Sequence, residues 1–385
     1  MKKQAVSFML CAVIAMVITP VALNVKSAKA EGQGCYKSFY SEDYNSGTKI
    51  AGENEFEHFP IASMCKIMTL LLCFEEISEG RLTLDEKICA SENASGMGGS
   101  QVFLEAGADY SASDLIKSIC VASANDSCVA MAERIAGGEE AFVQSMNERA
   151  AALGMENTVF INCTGLPGAG QYSCAADVAR MLRELMKHEE YFAFSKIWTD
   201  KIVHPEGRET EMANTNKMIR AYSGCDAGKT GFTNDAGFCL AASAMRGNMR
   251  VISVVIGADS SKTRFNRTRE AFDYAFANYT NKIIFEKGIP LDERCPVQGG
   301  KISNVSVKAK DDVCIFTSRN DHDEIFYELE FDRIKAPVKE GDAVGKAFIY
   351  KNNIQVAETI LLSNENVKKI SYFDSLRKAA EYWIL

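Results

Sequence analysis

Histidine is scarce in this chain, and the residue spacings that hold metal ions are missing. The four histidines are scattered, at His58, His188, His204 and His322, and no Cys-x-x-Cys or His-x-x-x-His pair occurs. Zinc peptidases and other zinc sites depend on ligand pairs of this kind, and cysteine redox sites depend on a Cys-x-x-Cys pair. The sequence therefore predicts a protein that uses no metal ion and no other cofactor.

Positive charge is also in short supply. The net charge of −8 at pH 7 becomes −12 once residues 1–30 are removed, because that segment carries four lysines and no acidic residue. A nucleic-acid-binding protein needs a basic surface that meets the phosphates. We therefore expect no nucleic-acid partner.

Long apolar runs are confined to the N-terminus. Residues 1–30 have the pattern of a secretory signal peptide, with two lysines, an apolar run over about 5–23, and Ala-Lys-Ala at 28–30. No later segment approaches the roughly 20 apolar residues that cross a bilayer. We expect an exported mature protein, residues 31–385, that acts outside the cytoplasmic membrane and does not cross it a second time.

Cysteine, by contrast, is frequent. Of 13 cysteines, 12 remain after residue 30, but their spacing gives no dense disulfide framework, and a chain of 385 residues does not need one. Cys65, Cys73, Cys120 and Cys128 lie in apolar helical stretches, where a free cysteine packs as a small hydrophobic residue. We expect mostly reduced, buried thiols.

The chain is organised around an apolar stretch, Ala62 to Phe74. Pro60 ends any preceding helix, and a helix that is apolar on every face lies buried in a core. Ser63 and Lys66 are three residues apart, so a helix starting at the serine places them one turn apart on the same side. A serine at the start of a buried helix, followed by an amine, is a candidate nucleophile with its base. The alternative is a capping serine and a lysine that reaches the surface.

Two further polar motifs lie at predicted structural boundaries. Ser123-Ala124-Asn125 separates apolar helices predicted at about 113–121 and 126–136, and is either a capping turn or a site. Lys229-Thr230-Gly231 precedes two strand-like segments within residues 237–257. The apolar residues of these segments do not alternate, which predicts strands covered on both faces.

Helix patterns and turn residues account for most of the remaining sequence before residue 280. Helices are predicted at about 139–153, 175–187 and 264–279, with Ser173 as the cap of the second. The Gly/Ser-rich segment 91–100 lacks the Gly-Lys-Ser/Thr ending of a phosphate-binding loop. We interpret it as a flexible surface loop.

The composition changes after residue 281. Short segments that alternate with period two predict a small antiparallel β domain over 281–366, which leaves 31–280 as the first domain. Residues 367–385 follow the pattern of an amphipathic helix, with Phe373 and Trp383 on its apolar arc. We interpret this helix as an anchor in the interface of a membrane. The alternative is a helix packed back on the β domain.

The three polar motifs, taken in order behind a signal peptide, resemble those of the active-site serine penicillin-binding proteins and class A β-lactamases. The wider sequence is similar to one branch, the D-alanyl-D-alanine carboxypeptidases of serine peptidase family S11, which are low-molecular-weight penicillin-binding proteins. The segments that carry this resemblance are 61–69, 98–100, 162–165, 172–173, 214–217, 229–237 and, in the β domain, 336–341. Cys65 and Ala124 depart from the family, which usually has Thr and often Gly there, but neither replaces a group that does chemistry.

The resemblance implies an α/β (α+β) fold and a reaction. The fold is a β-lactamase/transpeptidase-like domain, with an antiparallel sheet covered by helices, followed by the small C-terminal antiparallel β domain. The reaction is the removal of the terminal D-alanine from peptidoglycan stem peptides. β-Lactam antibiotics are then expected to act as covalent inhibitors.

The resemblance also implies the catalytic roles. Ser63 attacks the carbonyl of a D-Ala-D-Ala peptide and forms an acyl-enzyme, and Lys66 takes the serine proton. Ser123 relays a proton to the leaving amine, while Asn125 holds Lys66 and the substrate amide. The oxyanion lies between the backbone N–H groups of Ser63 and Phe232.

The terminal carboxylate of the substrate is assigned by the same resemblance to Lys229 and Thr230, with Gly231 completing the motif, and to Arg264. The alternative for the three-residue motif is a turn that precedes a strand. The alternative for Arg264 is a cation that caps a helix.

Two rival functions remain open at this point. A β-lactamase of similar fold needs a deacylating carboxylate, yet residues 157–165 contain no acid and Glu156 is the nearest candidate. A catalytically silent cell-wall-binding protein is the second rival. The presence of all three motifs argues against it.

Overall fold

The computed structural model describes residues 35–376. The expected signal peptide, residues 1–30, lies outside the described residues. The strands of the first part of the chain are β1 (Ser38–Asp43), β2 (Lys49–Glu53), β3 (Lys87–Cys89), β4 (Asp109–Ser111), β5 (Thr199–Val203), β6 (Glu209–Ala213), β7 (Cys225–Thr233), β8 (Gly237–Arg246) and β9 (Met249–Ala258). Its helices are α1 (Lys66–Ser78), α2 (Glu92–Ser95), α3 (Ala112–Val121), α4 (Asn125–Ala136), α5 (Glu139–Ala152), α6 (Ala175–Leu185), α7 (Tyr191–Ser195), α8 (Met218–Ala221) and α9 (Ser261–Asn278), with 3₁₀ turns at Ala62–Cys65 and Pro205–Gly207.

The first part of the chain is built around a five-stranded antiparallel sheet, in the order β2-β1-β9-β8-β7. Its central strands are buried on both faces, as their continuous apolar sequence predicts. Ala241 and Val254 pack into the core that contains α1, whereas Leu240 and Ala242 pack on the opposite face against Phe272 of α9. The predicted fold, an antiparallel sheet covered by helices, is confirmed.

The buried helix α1 begins at Lys66, not at Ser63. Ser63 lies in the preceding 3₁₀ turn, Ala62–Cys65. Ala62 has a φ of +48°, which is outside the right-handed helical region, so the backbone enters the helix through a tight turn. This turn keeps the serine hydroxyl at the edge of the core while the lysine, three residues on, points into it.

The other predicted helices are present with small shifts at their ends. One predicted cap is wrong, because α6 is capped by Cys174, whose Sγ accepts the N–H of Asp177 at 3.4 Å. Ser173 Oγ lies instead 2.8 Å from Thr158 Oγ1. Helix α9 starts three residues before the predicted Arg264, since Ser260 Oγ accepts the N–H of Thr263 at 3.1 Å and caps the first turn.

The second part of the chain is built from strands. They are β10 (Tyr279–Phe285), β11 (Pro290–Gln298), β12 (Asn304–Ala309), β13 (Val313–Ser318), β14 (Ile325–Phe331), β15 (Ile334–Lys335), β16 (Ala343–Lys351) and β17 (Ile354–Ser363). A six-stranded sheet has the order β14-β16-β17-β12-β11-β15, and β10 pairs with β13. The pairing is antiparallel as predicted, except that the short β15 runs parallel to β11. This second part of the chain has a separate hydrophobic core, which includes Cys295, Val305, Val344 and Leu361.

The twelve cysteines of the described residues are all free, and nine of them are buried. The burial of these nine agrees with the expectation that the cysteines pack as small hydrophobic residues. Burial raises the pKa of Cys128 to about 12 and that of Cys239 to about 11, because a thiolate is poorly solvated in an apolar core. Thiols held in this form are weak nucleophiles.

The C-terminal segment is not helical from Val367, and that part of the prediction is wrong. Val367 is buried and pairs with Val338, and the N–H of Ile370 donates to the main-chain oxygen of Gly299 at 2.8 Å. A helix is described only over 372–376, where Ser371 Oγ accepts the N–H of Asp374 at 3.2 Å. The remainder of the predicted anchor lies outside the described residues. Within residues 35–376, no helix is long and apolar enough to span a membrane.

Candidate active site

The candidate nucleophile and its base meet where the 3₁₀ turn joins α1. Lys66 is completely buried, and its Nζ lies 3.1 Å from Oγ of the half-buried Ser63. The same Nζ donates to Asn125 Oδ1 at 2.6 Å and to the main-chain oxygen of Thr164 at 2.5 Å. Three oxygen partners therefore fix the lysine head, within reach for proton transfer from the serine hydroxyl.

Asn125 connects this pair to the Gly/Ser-rich loop. Its Nδ2 donates to the main-chain oxygen of Gly98 at 2.6 Å, and its N–H donates to that of Ser100 at 2.7 Å. A Cβ on Gly99, which has a φ of +78°, would lie 2.8 Å from Asn125 Nδ2, so the loop approaches closely because glycine is there. The segment is mostly exposed as predicted, but Glu92–Ser95 form helix α2 and the hydrogen bonds of Asn125 tie residues 98–100 to the site. Its interpretation as a loop throughout is therefore wrong.

Ser123 and Lys229 meet across the site although they are 106 residues apart. Lys229 Nζ donates to Ser123 Oγ at 2.8 Å, and Lys229 is only 1% exposed. Burial, together with the charge of Lys66, lowers the pKa of Lys229 to about 7. The Lys229 amine is therefore partly protonated at neutral pH, and a nearby anion would favour its protonated form.

The backbone beside both serines is strained. Ala62, immediately before Ser63, has a φ of +48°, and Ser123 itself has a φ of +63°. Left-handed conformations of residues other than glycine cost of order 1–3 kcal/mol and persist where the surroundings enforce them, most often at active sites. Both serine hydroxyls are thus held in fixed directions by the packed structure around them.

Two glycines allow neighbouring segments of the backbone to approach the nucleophile. A Cβ on Gly165 would lie 2.1 Å from the main-chain oxygen of Ala62, and one on Gly231 would lie 2.6 Å from that of Ile61 and 3.2 Å from the nitrogen of Ser63. Strand β7 therefore runs directly beside the backbone N–H of Ser63. This contact places Gly231, the residue before the predicted oxyanion donor Phe232, next to the N–H of Ser63.

Thr230 and Phe232 project from the same strand. Thr230 Oγ1 lies 2.8 Å from Thr215 Oγ1, and the Phe232 ring is 52% exposed, with its centroid 4.4 Å from that of Phe238. Of the predicted residues on β7, Lys229 contacts Ser123 and Gly231 lies beside the backbone nitrogen of Ser63.

Arg264 contacts this strand from α9. Its Nη1 donates to the main-chain oxygens of Gly231 and Cys239, each at 3.0 Å, and its guanidinium lies 5.4 Å from the centroid of the Phe238 ring. Nε is buried without a hydrogen-bond partner, and burial lowers the pKa of Arg264 to about 10. Arg264 therefore braces β7 and retains one unsatisfied donor.

Sequence reasoning assigned no role to several main-chain groups of the site. The oxygens of Thr164, Gly98 and Ser100 accept from Lys66 and Asn125, and the side chain of Asn162 organises the loop at Gly165 by accepting its N–H at 2.7 Å. The only available signal was the similarity of segments 98–100 and 162–165 to the family. Within residues 35–376, no group of three His, Cys, Asp or Glu side chains is arranged to hold a metal ion.

The chain is similar to known proteins over most of its length. Residues 26–260 match the family model described as D-alanyl-D-alanine carboxypeptidase, and residues 279–369 match that of the C-terminal domain of penicillin-binding protein 5. The D-alanyl-D-alanine carboxypeptidase DacF of Bacillus subtilis is 34% identical over 385 residues, which cover 99% of each chain. DacD of Escherichia coli is 31% identical, with 87% of each chain covered. Among solved structures, penicillin-binding protein 5 of Haemophilus influenzae superposes with a TM-score of 0.68 at 27% identity, covering 89% of this chain and 100% of that one.

The fold and the arrangement of the three motifs define an active-site serine peptidase of the β-lactamase/transpeptidase type. Within that class, the chain belongs to the D-alanyl-D-alanine carboxypeptidases of family S11. It is therefore a peptidase that removes a terminal D-alanine, as the resemblance implied.

Proposed function

We propose that the enzyme trims peptidoglycan stem peptides outside the cytoplasmic membrane, through an acyl-enzyme on Ser63. The observation that carries the proposal is the hydrogen-bonded contact between Ser63 Oγ and the buried Nζ of Lys66, at 3.1 Å. A serine hydroxyl is a weak nucleophile until a neighbouring base removes its proton. Lys66 in its neutral form is the base that can reach that proton.

Acylation then follows in two bond changes. Ser63 Oγ attacks the carbonyl carbon while its proton passes to Lys66, and the resulting oxyanion is stabilised by the N–H groups of Ser63 and Phe232. When the C–N bond breaks, the leaving amine takes up a proton through Ser123. Hydrolysis of the acyl-enzyme by water returns the free serine and the shortened peptide.

Lys229, Thr230 and Arg264 bind the terminal carboxylate of the substrate in this proposal. Lys229 supplies the charge and Thr230 a hydroxyl donor on the same strand, and the guanidinium of Arg264 adds a second cation, held against the strand by its hydrogen bond to the main-chain oxygen of Gly231. Charge-assisted hydrogen bonds of this kind are roughly twice as strong as neutral ones. A free carboxylate next to the cleaved bond is what distinguishes a carboxypeptidase substrate.

Penicillin should acylate Ser63 and remain attached far longer than a peptide acyl group. The D-alanine released from a peptide leaves and gives water access, whereas the amine of the opened lactam stays tethered. The one acid proposed from the sequence as a β-lactamase-like base, Glu156, is exposed. Intact-mass measurement of the penicilloyl adduct over time, after excess drug is removed, tests the proposal. Persistence for many peptide turnovers is expected.

Two outcomes of that experiment would contradict the proposal. Loss of the adduct at the rate of peptide turnover would identify a β-lactamase. An unlabelled protein that also fails to release D-alanine would be a silent cell-wall-binding protein.

We further propose that the C-terminal residues hold the enzyme on the membrane surface. Tyr372, Phe373 and Leu376 are 74%, 81% and 51% exposed on the short terminal helix. Three apolar side chains of this size add surface that favours burial in an interface. Since residues 367–370 are hydrogen-bonded to the β domain, only the residues from Ser371 onward are available to the membrane.

Deleting residues 371–385 should release an active enzyme from membranes. We expect the mature protein to sediment with anionic vesicles, salt to weaken this only partly, and the truncated protein to stay in the supernatant with unchanged D-alanine release. Replacing Phe373 with serine should give an intermediate result. A full-length mature protein that never sediments with the vesicles would exclude the anchor.

A further inference from the structure

Proton transfer from Ser63 to Lys66 requires a defined orientation of the lysine amine. Asn125 Oδ1 and the main-chain oxygen of Thr164 can only accept hydrogen bonds, and they lie 2.6 Å and 2.5 Å from Lys66 Nζ. A neutral amine has two N–H groups and one lone pair. When both N–H groups are donated to these two acceptors, the lone pair faces the third partner, Ser63 Oγ, at 3.1 Å. The proton-accepting orientation of Lys66 therefore depends on the position of the Thr164 oxygen.

The Thr164 oxygen belongs to a segment, residues 162–165, that forms neither helix nor strand. Most of its polar main-chain atoms are held by α1 or by the segment itself. Thr69 Oγ1, on α1, donates to the main-chain oxygen of Cys163 at 2.6 Å. Asn162 Oδ1 accepts the N–H groups of Thr164 and Gly165 at 3.2 Å and 2.7 Å. The N–H of Cys163, a completely buried residue, has its partner elsewhere.

Glu139, the first residue of α5, is the partner of that N–H. Its Oε1 accepts the Cys163 N–H at 3.1 Å and the Cys163 Sγ–H at 3.2 Å. Burial raises the pKa of the Cys163 thiol well above its ordinary value, so the thiol keeps its proton and remains a donor. A buried N–H without an acceptor is unfavourable, so loss of Glu139 Oε1 would favour a shift of the Cys163 backbone. The oxygen of the next residue, Thr164, would shift with it.

We propose that Glu139 is a positioning residue for acylation, which holds Cys163, thereby fixes the Thr164 oxygen, and so keeps the lone pair of Lys66 directed at Ser63. The proposal rests on the proposed function, in which neutral Lys66 is the base. Glu139 acts through Cys163 and Thr164 and exchanges no proton with Ser63 or the substrate. Its role requires an acceptor oxygen at the right distance from α5 and does not require negative charge.

Three substitutions of Glu139 separate the effects of length, acceptor and charge. Glu139→Gln keeps the length and an acceptor oxygen but removes the charge, so its limiting rate of acylation should stay within about threefold of the wild-type rate. Glu139→Asp keeps the charge but is one methylene shorter, and Glu139→Ala removes the acceptor. Both should lower the limiting rate by about 10–100-fold, the range that loss of a hydrogen bond to a charged group supports.

Stopped-flow acylation by a chromogenic cephalosporin, measured over a range of concentrations, gives both the limiting rate and the half-saturation concentration. The half-saturation concentration should not change, because Lys229, Thr230 and Arg264 bind the carboxylate of the ligand and none of them contacts Glu139. A loss of rate without a loss of binding is the result expected of a residue that orients the base.

Glu140→Ala is the matched control, because Glu140 is the next residue in the same helical turn and is exposed, and its carboxylate has neither an ion pair nor a hydrogen bond among residues 35–376. This variant should acylate at the wild-type rate. Glu139→Asp keeps an acidic residue at the N-terminus of α5, so it remains informative if the alanine variant is unstable.

Two results would overturn the role of Glu139 alone. One is a wild-type limiting rate in Glu139→Asp, which would show that the position of the acceptor oxygen does not matter. The other is a Glu139→Gln variant as slow as Glu139→Ala, which would show that the charge is what the site needs. Absence of penicillin acylation and D-alanine release from the wild-type enzyme would instead overturn the proposed function.

Discussion

Replacing Ser63 with alanine should abolish penicillin labelling and reduce D-alanine release by at least about 10⁴-fold, as removal of a catalytic nucleophile does in other serine hydrolases. The expectation follows from the geometry, since Ser63 Oγ is the hydroxyl that lies 3.1 Å from the buried amine of Lys66 beside β7. The measurements are labelling with a fluorescent penicillin and release of D-alanine from a D-Ala-D-Ala peptide.

Ser78→Ala provides the matched control for this experiment. Ser78 is the last residue of α1, the helix that follows the turn containing Ser63. It is exposed, and its Oγ donates to the main-chain oxygen of Glu75. Both activities should stay at the wild-type level in this variant. If Ser63→Ala retains either activity, the nucleophile is a different residue.

Replacing Gly165 with alanine should slow acylation by about 100-fold, the cost of displacing a reacting group by about 1 Å. The new Cβ would lie 2.1 Å from the main-chain oxygen of Ala62 and would push on the turn that positions Ser63. The acceptor loop at Thr164 would move with it, so the hydrogen bond to Lys66 should weaken as well. Stopped-flow acylation by a chromogenic cephalosporin measures the effect.

Gly170→Ala isolates the steric part of this result. Gly170 also has a positive φ, +91°, so its alanine variant bears the same backbone strain of about 1–2 kcal/mol. A Cβ there meets nothing within 4 Å, and acylation should change little. Equal rates in the two variants would show that strain, and not displacement of the nucleophile, governs the site. Circular dichroism melting curves establish that both variants are folded.

Local sequence patterns predicted the parts of this site that depend on local geometry. The spacing of Ser63 and Lys66 placed hydroxyl and amine on one side of a helical turn, and the continuous apolar sequence of β8 and β9 predicted strands buried on both faces. The contact between Ser123 and Lys229 could not be predicted from local patterns, because 106 residues separate them. Only the resemblance to a family could join these two residues before the sheet order was known.

Main-chain contacts and long-range pairings could not be predicted from the sequence. The carbonyl of Thr164 accepts from Lys66 whatever side chain the residue carries, so no residue type marks it. The sequence predicts that the terminal helix begins at Val367, yet the backbone of Val367 forms an isolated β-bridge with Val338. Cys174 caps α6 in place of Ser173 because the backbone turn, and not the stronger hydrogen-bonding side chain, determines which residue precedes the first turn.

The lowered pKa of Lys229 gives the carboxylate site a chemical property of its own. Because this pKa is about 7, the free enzyme above neutral pH holds an uncharged amine where a substrate anion is to bind. A carboxylate placed beside it favours the ammonium form, so binding draws a proton from solution, and affinity declines as pH rises above 7. A ligand whose terminus is amidated offers no such anion and leaves the amine neutral. The site thus acquires its full positive charge together with the free carboxyl terminus that it recognises.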